Sequence, residues 1–269
     1  MSIQDRASAF RRLHAPGELL VLPNAWDPAS ARLMESLGAT AIATTSAGLC
    51  WAHGYSDGKA IPLETLTAAV REIVRVTRLP VSADVEAGYA DDAAGVARTV
   101  AAVIEAGAVG INLEDGSAPP ELLAVKIGAV KQAAKRAGVD LFVNARADVY
   151  LRGLTPPERA VEETIARGRR YAEAGADGFF VPGLSQPDAI RAVTGAISLP
   201  VNLLVLPKLA PVAELRGWGV RRLSAGSSIC AAALGTARRA AKQLLSEGRY
   251  DELYAGPVAY AEMNALFQA

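Results

Sequence analysis

Apolar and polar residues follow two spacings along this chain, and the two alternate. Short runs of apolar and β-branched residues, typical of buried parallel strands, precede longer segments in which apolar residues recur every three or four positions, as on one face of a helix. Glycine stands where such a helix has to end before the next strand, at Gly38, Gly107, Gly138, Gly175 and Gly219. The pattern predicts a series of strand–helix units.

A short helix over residues 4–13 precedes eight such units. Written as strand and helix, the predicted units are 19–26 with 27–37, 41–46 with 62–77, 81–86 with 92–106, 110–115 with 121–137, 141–148 with 156–174, 178–182 with 186–197, 201–206 with 209–218, and 221–225 with 228–247. Strands that alternate with helices form a parallel sheet, and eight units close into an α/β fold, the (β/α)8 TIM-type barrel. An open doubly wound sheet is the alternative, but the chain has neither a Gly-x-Gly-x-x-Gly after the first strand nor a Walker-type loop.

A further helical segment over about 251–267 follows the eighth unit, and the Gly-Pro pair at 256–257 is expected to interrupt it. After the interruption, Tyr260, Met263 and Phe267 fall on one helix face. An apolar stripe of this kind needs a surface to pack on. We therefore expect this segment to pack on a neighbouring subunit, so that the protein is a homodimer or homotetramer.

Length and composition suit this architecture. The 269 residues, 51% of them hydrophobic, are enough for a single barrel domain over residues 1–269. Lys and Arg total 28, equal to the 28 Asp and Glu, so no overall charge favours binding to nucleic acid or to a membrane surface. Cys50 and Cys230 lie too far apart in sequence to indicate a disulfide framework or a zinc site. With no apolar run of membrane-spanning length, a cytoplasmic protein is expected.

Polar residues collect at the predicted carboxyl ends of the strands, where barrel enzymes place their active sites. Asp84 and Glu86 stand two positions apart at the end of the third strand and share a face. Together with Glu114 from the next strand, they predict a site for a hard divalent cation, Mg²⁺ or Mn²⁺, because neighbouring carboxylates need a proton, water or a cation between them. Arg146, at the end of the fifth strand, would pair with the carboxylate of a bound anion.

Some polar and reactive residues have a simpler explanation. Asp27 precedes Pro28, and Ser227 or Ser228 precedes the last long helix, so helix capping is the preferred role for these three.

At these acidic motifs the chain resembles the isocitrate lyase and phosphoenolpyruvate mutase superfamily. Members carry a strand that ends in Asp-x-Asp-x-Gly-Tyr/Phe-Gly, which residues 84–90 match except that the second acid is Glu86 and Ala90 replaces the last glycine. The family's next strand ends in Glu-Asp, as residues 114–115 do, and its fifth strand carries Ala-Arg-x-Asp, as residues 145–148 do. The resemblance implies Mg²⁺ at the first motif, a 2-oxo acid or dicarboxylate substrate, and exchange of a C-terminal helix between subunits.

The resemblance also implies substrate contacts. A turn that holds the substrate carboxylate on backbone N–H groups in the family resembles Ser46-Ala47-Gly48, and a following catalytic acid resembles Asp57. Arg146 would pair with the negative oxygen of an enolate or with the substrate carboxylate. Four further residues are candidates for contact with the departing group or for core packing: Trp26, Asn112, Asn144 and Asn202.

The departures from the family are concentrated after the fourth strand. Lyases of the family carry a catalytic cysteine there in a Lys-Lys/Arg-Cys-Gly-His segment, whereas residues 116–120 read Gly-Ser-Ala-Pro-Pro. Asn112 replaces a lyase histidine, and Gly116 stands where phosphonomutases have lysine. Cys50 lies on another loop within an apolar run, so we interpret it as a packing residue.

The resemblance therefore implies an enzyme that stabilises the enolate of a 2-oxo carboxylate. Carbon–carbon bond cleavage, like that of oxaloacetate decarboxylase or of methylisocitrate and dimethylmalate lyases, is the preferred hypothesis. The alternatives are P–C bond chemistry, like that of phosphoenolpyruvate mutase or phosphonopyruvate hydrolase, and a barrel that binds 2-oxo acids without turning them over.

Overall fold

In the computed structural model, which describes residues 1–58 and 61–268, parallel strands form a barrel with helices around it. The strands are β1 (Leu20–Leu22), β2 (Asn24–Ala25), β3 (Ile42–Thr44), β4 (Val81–Asp84), β5 (Gly110–Glu114), β6 (Phe142–Arg146), β7 (Gly178–Val181), β8 (Val201–Leu204) and β9 (Val220–Ser224). They pair in the order β1-β9-β8-β7-β6-β5-β4-β3-β2. Because β1 and β2 are consecutive in the chain, the two edges of the sheet meet. The predicted TIM-type barrel is confirmed.

The first strand departs from its prediction. The sequence pattern predicts one strand over 19–26, whereas the structure has two short strands with different partners: β1 pairs with β9, and β2 pairs with β3. Pro23 lies between them and has no N–H to donate to a strand ladder. Its carbonyl accepts a hydrogen bond from the Ala43 N–H at 3.0 Å. The chain therefore changes partner at Pro23, and this change brings the sheet edges together.

Helices surround the strands and also cross their carboxyl ends. They are α1 (Ile3–Arg12), α2 (Pro28–Ser36), α3 (Ser46–Ala52), α4 (Leu63–Val76), α5 (Ala93–Glu105), α6 (Pro120–Arg136), α7 (Val149–Arg152), α8 (Ala160–Glu173), α9 (Pro187–Ala196), α10 (Val212–Gly217), α11 (Ser228–Glu247) and α12 (Tyr260–Ala265). Two segments are 3₁₀ helices, Pro157–Arg159 and Asp251–Tyr254. The short helices α3 and α7 were not predicted, and they follow β3 and β6 directly at the end of the barrel where the polar residues collect.

The predicted helix caps have mixed outcomes. The Asp27 carboxylate accepts a hydrogen bond from the Ser30 N–H at 2.6 Å at the start of α2, so this cap is confirmed. Ser227 occupies the cap position of α11, but its side chain makes no capping hydrogen bond, and Ser228 is already helical. The prediction for these two serines is wrong.

Aromatic side chains fill the amino end of the barrel. Phe10 of α1 meets the edge of the Phe142 ring at a centroid distance of 5.5 Å, and the His14 ring stacks on Phe142 at 4.0 Å. Gly110 leaves the room that this packing needs, since a Cβ there would lie 2.6 Å from Cε1 of Phe10. These three rings close the amino end of the barrel, so a ligand has to enter at the carboxyl ends of the strands.

The C-terminal helices pack little against the barrel. Along α11 the buried residues are Cys230 and Ala240, while the side chain of Leu245 is 84% exposed. The predicted segment 251–267 is not one helix, because a 3₁₀ turn and α12 stand on either side of the Gly-Pro pair. Tyr260 is 87% exposed. Packing on a partner subunit stays a prediction. In the described part of the chain, no helix combines the length and apolar character needed to span a bilayer.

Candidate active site

Asp84 ends β4 and is held from two sides. Its Oδ2 accepts a hydrogen bond from the Ser46 N–H at 3.3 Å, and its Oδ1 accepts one from the Glu86 N–H at 3.4 Å. Burial raises the pKa of Asp84, against the opposing effect of the Arg146 charge. Asp84 therefore lies among polar groups from α3, the turn after β4 and the end of β6.

Glu86 follows in a left-handed backbone conformation, with φ of 47°. This conformation is uncommon for a residue with a Cβ, and such strained residues concentrate at functional sites. Tyr89 also has a positive φ, and its hydroxyl donates to Oε1 of Glu86 at 2.9 Å. The tight turn after β4 thus fixes the direction of the Glu86 carboxylate.

Glu114 and Arg146 are register partners at the ends of β5 and β6. Nη1 of Arg146 lies 2.6 Å from Oε2 of Glu114, and Nε of Arg146 lies 2.6 Å from Oδ1 of Asp148. Burial raises the pKa of Glu114 to about 8; the Arg146 charge opposes this, and Asp84 adds to it. Two carboxylates already occupy Arg146, so it orients Glu114 as well as supplying positive charge.

Two adjoining cavities open over this cluster. The first has a volume of about 460 Å³ and is lined, among others, by Asp57, Glu86, Glu114, Arg146, Ser117 and Arg152. The second, of about 240 Å³, shares Ser46, Asp57 and Arg146 with the first and adds Asp84 and Asn112. The structure thus brings the three predicted metal ligands and both predicted catalytic residues to the walls of one double cavity.

The predicted carboxylate-binding turn is the first turn of α3. Ser46 and Ala47 line the smaller cavity. Gly48 lies behind them, where a Cβ would come within 2.6 Å of Cγ2 of Thr45 and 2.9 Å of Cβ of Trp26. Trp26 therefore packs against this turn, and it is not among the described residues that line either cavity.

The three asparagines form a hydrogen-bonded row inside the barrel. Nδ2 of Asn144 donates to Oδ1 of Asn112 at 2.9 Å and to Oδ1 of Asn202 at 3.0 Å. Only Asn112 of these three lines a cavity. Asn144 and Asn202 lie deeper, so a substrate contact by either stays a prediction, and their observed role is to connect β5, β6 and β8.

The donor set fits a hard divalent cation. Asp84, Glu86 and Glu114 offer carboxylate oxygens on two adjacent strand ends, and the charges of Asp84 and Glu86 both raise the pKa of Glu114, so the cluster favours added positive charge. Within the described residues, donor atoms of Cys50, Asp57 and Glu86 lie within 4.8 Å of one another. Burial, then the charges of Glu86 and Asp57, raise the pKa of Cys50. A protonated thiol is no ligand for Mg²⁺, so the fitting donors in this group are the carboxylates of Asp57 and Glu86, and Glu86 is the residue that it shares with the predicted set.

Sequence reasoning missed two cations of the cavity wall. Lys126 of α6 is buried and donates from Nζ to the carbonyls of Ala87 and Ala90 at 3.0 Å each, so it fixes the turn that carries Glu86. Arg152 of α7 donates from Nε to Oδ2 of Asp148 at 2.8 Å. No signal marked Lys126 within an amphipathic helix, whereas Arg152 follows the Ala-Arg-x-Asp motif by four residues.

A third missed cation, Arg222, lies inside the barrel. It is 1% exposed, and its Nη2 donates to Oδ1 of Asn112 at 3.2 Å. The period of two in β9 places Val220, Arg222 and Ser224 on the same face. Because the apolar Val220 falls on this face, the period of two was the signal that would have found Arg222.

The similarity of this chain to known proteins covers the whole barrel. The model of the phosphoenolpyruvate phosphomutase family matches residues 10–245. An uncharacterized protein of Mycobacterium tuberculosis H37Rv is 40% identical over 262 residues, which are 96% of this chain and 95% of that protein. Oxaloacetate decarboxylase of Pseudomonas entomophila L48 is 32% identical over 246 residues, 87% of this chain and 82% of the relative. The solved structure of oxaloacetate acetylhydrolase with the inhibitor 3,3-difluorooxalacetate superposes with a TM-score of 0.86 and 25% identity, covering 98% of this chain and 93% of that one.

Proposed function

This chain belongs to the phosphoenolpyruvate phosphomutase family, and from that premise we propose that it is a Mg²⁺-dependent enzyme that cleaves the carbon–carbon bond next to a 2-oxo carboxylate. The reaction we favour is loss of carbon dioxide from oxaloacetate or a related 3-carboxy-2-oxo acid. Two relatives are named for work on oxaloacetate, a decarboxylase and an acetylhydrolase.

One observation carries the choice of decarboxylation. The loop after β5 contributes Asp115, Gly116, Ser117 and Ala118 to the larger cavity. The Asp115 carboxylate is bonded to Arg167 and Tyr171, and none of the other three residues is a thiol or a carboxylic acid. Loss of carbon dioxide needs no general acid for its leaving group and no base to remove a hydroxyl proton first. The enolate that remains can collect its proton from water, so the reaction needs no unpaired acid on this loop.

The chain's residues have distinct roles in this proposal. Asp84, Glu86 and Glu114 would hold Mg²⁺, which supplies electrophilic stabilisation of the negative charge on the 2-oxo oxygen. Ser46 and the amide of Ala47 bind the carboxylate that the product keeps, while Gly48, whose N–H donates to Oγ1 of Thr45, allows the turn to pack closely behind them.

Two further residues complete the set. Arg146 orients Glu114 and adds positive charge beside the enolate oxygen. Asp57 lines both cavities, with a carboxylate oxygen within 4.8 Å of one of Glu86, and relays protons between the site and water.

Arg152 favours a second candidate function, a lyase reaction of the methylisocitrate type. In that reaction the fragment that leaves still carries a carboxylate. Nη2 of Arg152 lies 4.0 Å from Oε1 of Glu114, and within the described part of the chain neither Nη makes a hydrogen bond. A guanidinium of this kind can pair with a carboxylate. An ion pair with the carboxylate that leaves as carbon dioxide would oppose decarboxylation, because that charge has to move away from the arginine.

A substrate panel tests the proposal. The protein is incubated with Mg²⁺ and, separately, oxaloacetate, methylisocitrate, isocitrate, dimethylmalate or phosphonopyruvate, and release of the 2-oxo acid is followed. We expect Mg²⁺-dependent pyruvate release from oxaloacetate, which EDTA abolishes. Inactivity on all five compounds together with tight oxalate binding would contradict the proposal and favour a barrel that binds 2-oxo acids without turnover.

A further inference from the structure

Arg222 is a buried cation that none of the roles above uses. Its side chain lies inside the barrel, with its guanidinium carbon 5.9 Å from the centre of the Phe10 ring. Nη2 donates to Asn112, whereas Nε and Nη1 make no hydrogen bond to the described residues. Within the same residues Arg222 forms no ion pair of 4.0 Å or less with a carboxylate. A buried charge without an ionic partner is costly, and an apolar side chain of similar length would serve packing better.

The acidic residue that acts on Arg222 is Asp84. The two are connected through Asn112, which is the register partner of Asp84 across β4 and β5 and accepts the hydrogen bond from Arg222. Asp84 and Asn112 line the smaller cavity, while Arg222 does not. Arg222 therefore lies behind the wall of the candidate site and cannot reach a ligand there.

The described residues in contact with Arg222 are neutral, and so is His14 nearby. His14 donates from Nδ1 to the Phe10 carbonyl at 2.9 Å, and burial together with the Arg222 charge keeps its imidazole neutral. Phe10 and Asn112 carry no charge. These contacts consequently do not cancel the field of Arg222, which reaches Asp84, the first residue of the carboxylate cluster, through a low-dielectric interior.

We propose that Arg222, from behind the cavity wall, tunes which charges the site binds. Its positive charge weakens binding of the cation and strengthens binding of a doubly negative organic ligand, a planar dianion with the form of a pyruvate enolate. This inference rests on the proposed function, because it assumes that Asp84, Glu86 and Glu114 hold Mg²⁺. A charge that opposes cation binding while it favours the anion is useful where three carboxylates would otherwise repel the substrate. Arg222 is thus a positioning residue that acts through the cluster and not by contact.

Titration calorimetry on the full-length protein separates this role from a structural one. The variant Arg222→Met removes the charge and keeps an unbranched side chain, and Arg222→Lys keeps the charge. Two affinities are measured, that for Mg²⁺ alone and that for oxalate at saturating Mg²⁺. For Arg222→Met we expect about tenfold tighter Mg²⁺ binding and about tenfold weaker oxalate binding. Changes of this size are what one unpaired charge exerts on another through a protein interior. Arg222→Lys should stay within about twofold of the wild type in both.

The opposite signs are the diagnostic result. A structural disturbance would weaken both affinities together, and that result, or no change in either, would overturn the role of Arg222 while the wild type still binds Mg²⁺. If Arg222→Met does not fold, Arg222→Gln replaces it with the same expectation. Failure of the wild type to bind Mg²⁺ would overturn the proposed function, and this inference with it.

Discussion

Nη1 of Arg167 lies 2.8 Å from Oδ2 of Asp115, and both side chains are buried. The Tyr171 hydroxyl donates to the same oxygen at 2.6 Å, and Oδ1 of Asp115 accepts the Asp148 N–H at 2.9 Å. Asp115 follows Glu114 directly, yet these contacts direct it toward α8. It joins the ends of β5 and β6 to that helix, and its role is structural.

Replacing Asp115 by alanine should therefore affect stability first. Loss of this carboxylate leaves Arg167 with Glu163 as its remaining acidic partner and the buried Tyr171 hydroxyl without its acceptor. Breaking a buried pair costs up to about 3–5 kcal/mol of unfolding free energy. Urea denaturation measures the change. Asp91→Ala, an exposed acid at the rim of the larger cavity, is the matched control and should change stability by less than about 0.5 kcal/mol. A loss below about 1 kcal/mol in Asp115→Ala would remove the structural assignment.

Asp84→Ala should affect Mg²⁺ binding and leave stability unchanged, the opposite of Asp115→Ala. Removing one carboxylate from a cluster of like charges relieves repulsion, so the fold should persist while Mg²⁺ affinity is lost. Calorimetric titration with Mg²⁺, alongside the thermal unfolding midpoint, checks both parts. Asp91→Ala again serves as the control and should bind Mg²⁺ like the wild type. Undiminished Mg²⁺ affinity in Asp84→Ala would refute the ligand assignment.

His14 predicts a dependence of stability on pH. Burial, followed by the charge of Arg222, lowers the pKa of His14 to about 3 from its ordinary 6.5. Between these values the unfolded chain binds a proton that the folded protein does not, so this contribution is present above pH 6.5 and is lost as the pH falls toward 3. One proton corresponds to about 1.4 kcal/mol per pH unit.

The check compares the wild type with His14→Gln at pH 6.5 and pH 4.5 by urea denaturation. Over this interval the wild type should lose about 2–3 kcal/mol more unfolding free energy than the variant, because glutamine does not titrate. Equal losses in the two proteins would show that His14 is protonated in the folded state.

Much of the architecture could be predicted because it depends on local spacing. The barrel followed from strand–helix alternation, and the acidic motifs identified the strand ends that carry Asp84 and Glu114. Local spacing could not show that Pro23 lets one predicted strand pair on two sides, because that depends on closure of the whole sheet. It also could not show that Ser46 begins a helix.

The interior of the site was harder to predict than its rim. A lysine in an amphipathic helix or an arginine in a short strand is ordinarily a surface residue, so Lys126 and Arg222 gave no sign of burial on their own. Asn144 illustrates the reverse case. Its position near the end of β6 suggested either a substrate contact or core packing, and in the structure its Nδ2 donates to two other asparagines. Such partners come from distant strands, and only the folded barrel brings them together.

The exposed C-terminal helices predict an oligomer. Val21 of β1 is 52% exposed, although it stands on a barrel strand, and Leu245 of α11 and Tyr260 of α12 are more exposed still. Apolar surface of this extent favours association between copies of the chain. Light scattering at micromolar concentration should therefore give the mass of a dimer or tetramer, and a monomer mass would contradict the prediction.

The proposed site cleaves a carbon–carbon bond beside a 2-oxo carboxylate without a proton donor from the loop after β5, because the acid of that loop, Asp115, is bonded to Arg167 and Tyr171. Cys50 is the residue that would challenge this claim, since its sulfur lies within 4.8 Å of carboxylate oxygens of Asp57 and Glu86. It is fully buried and part of the hydrophobic core, so we expect it to act in packing.

The most direct measurement is kcat/KM for oxaloacetate and for methylisocitrate at saturating Mg²⁺, in the wild type and in Cys50→Ser. The account predicts that kcat/KM for oxaloacetate exceeds that for methylisocitrate by at least about tenfold, a difference of about 1.4 kcal/mol in transition-state free energy. It also predicts that Cys50→Ser retains this preference with unchanged kcat. A preference for methylisocitrate, or loss of activity in Cys50→Ser, would contradict the account and assign the proton donor to the Cys50 thiol.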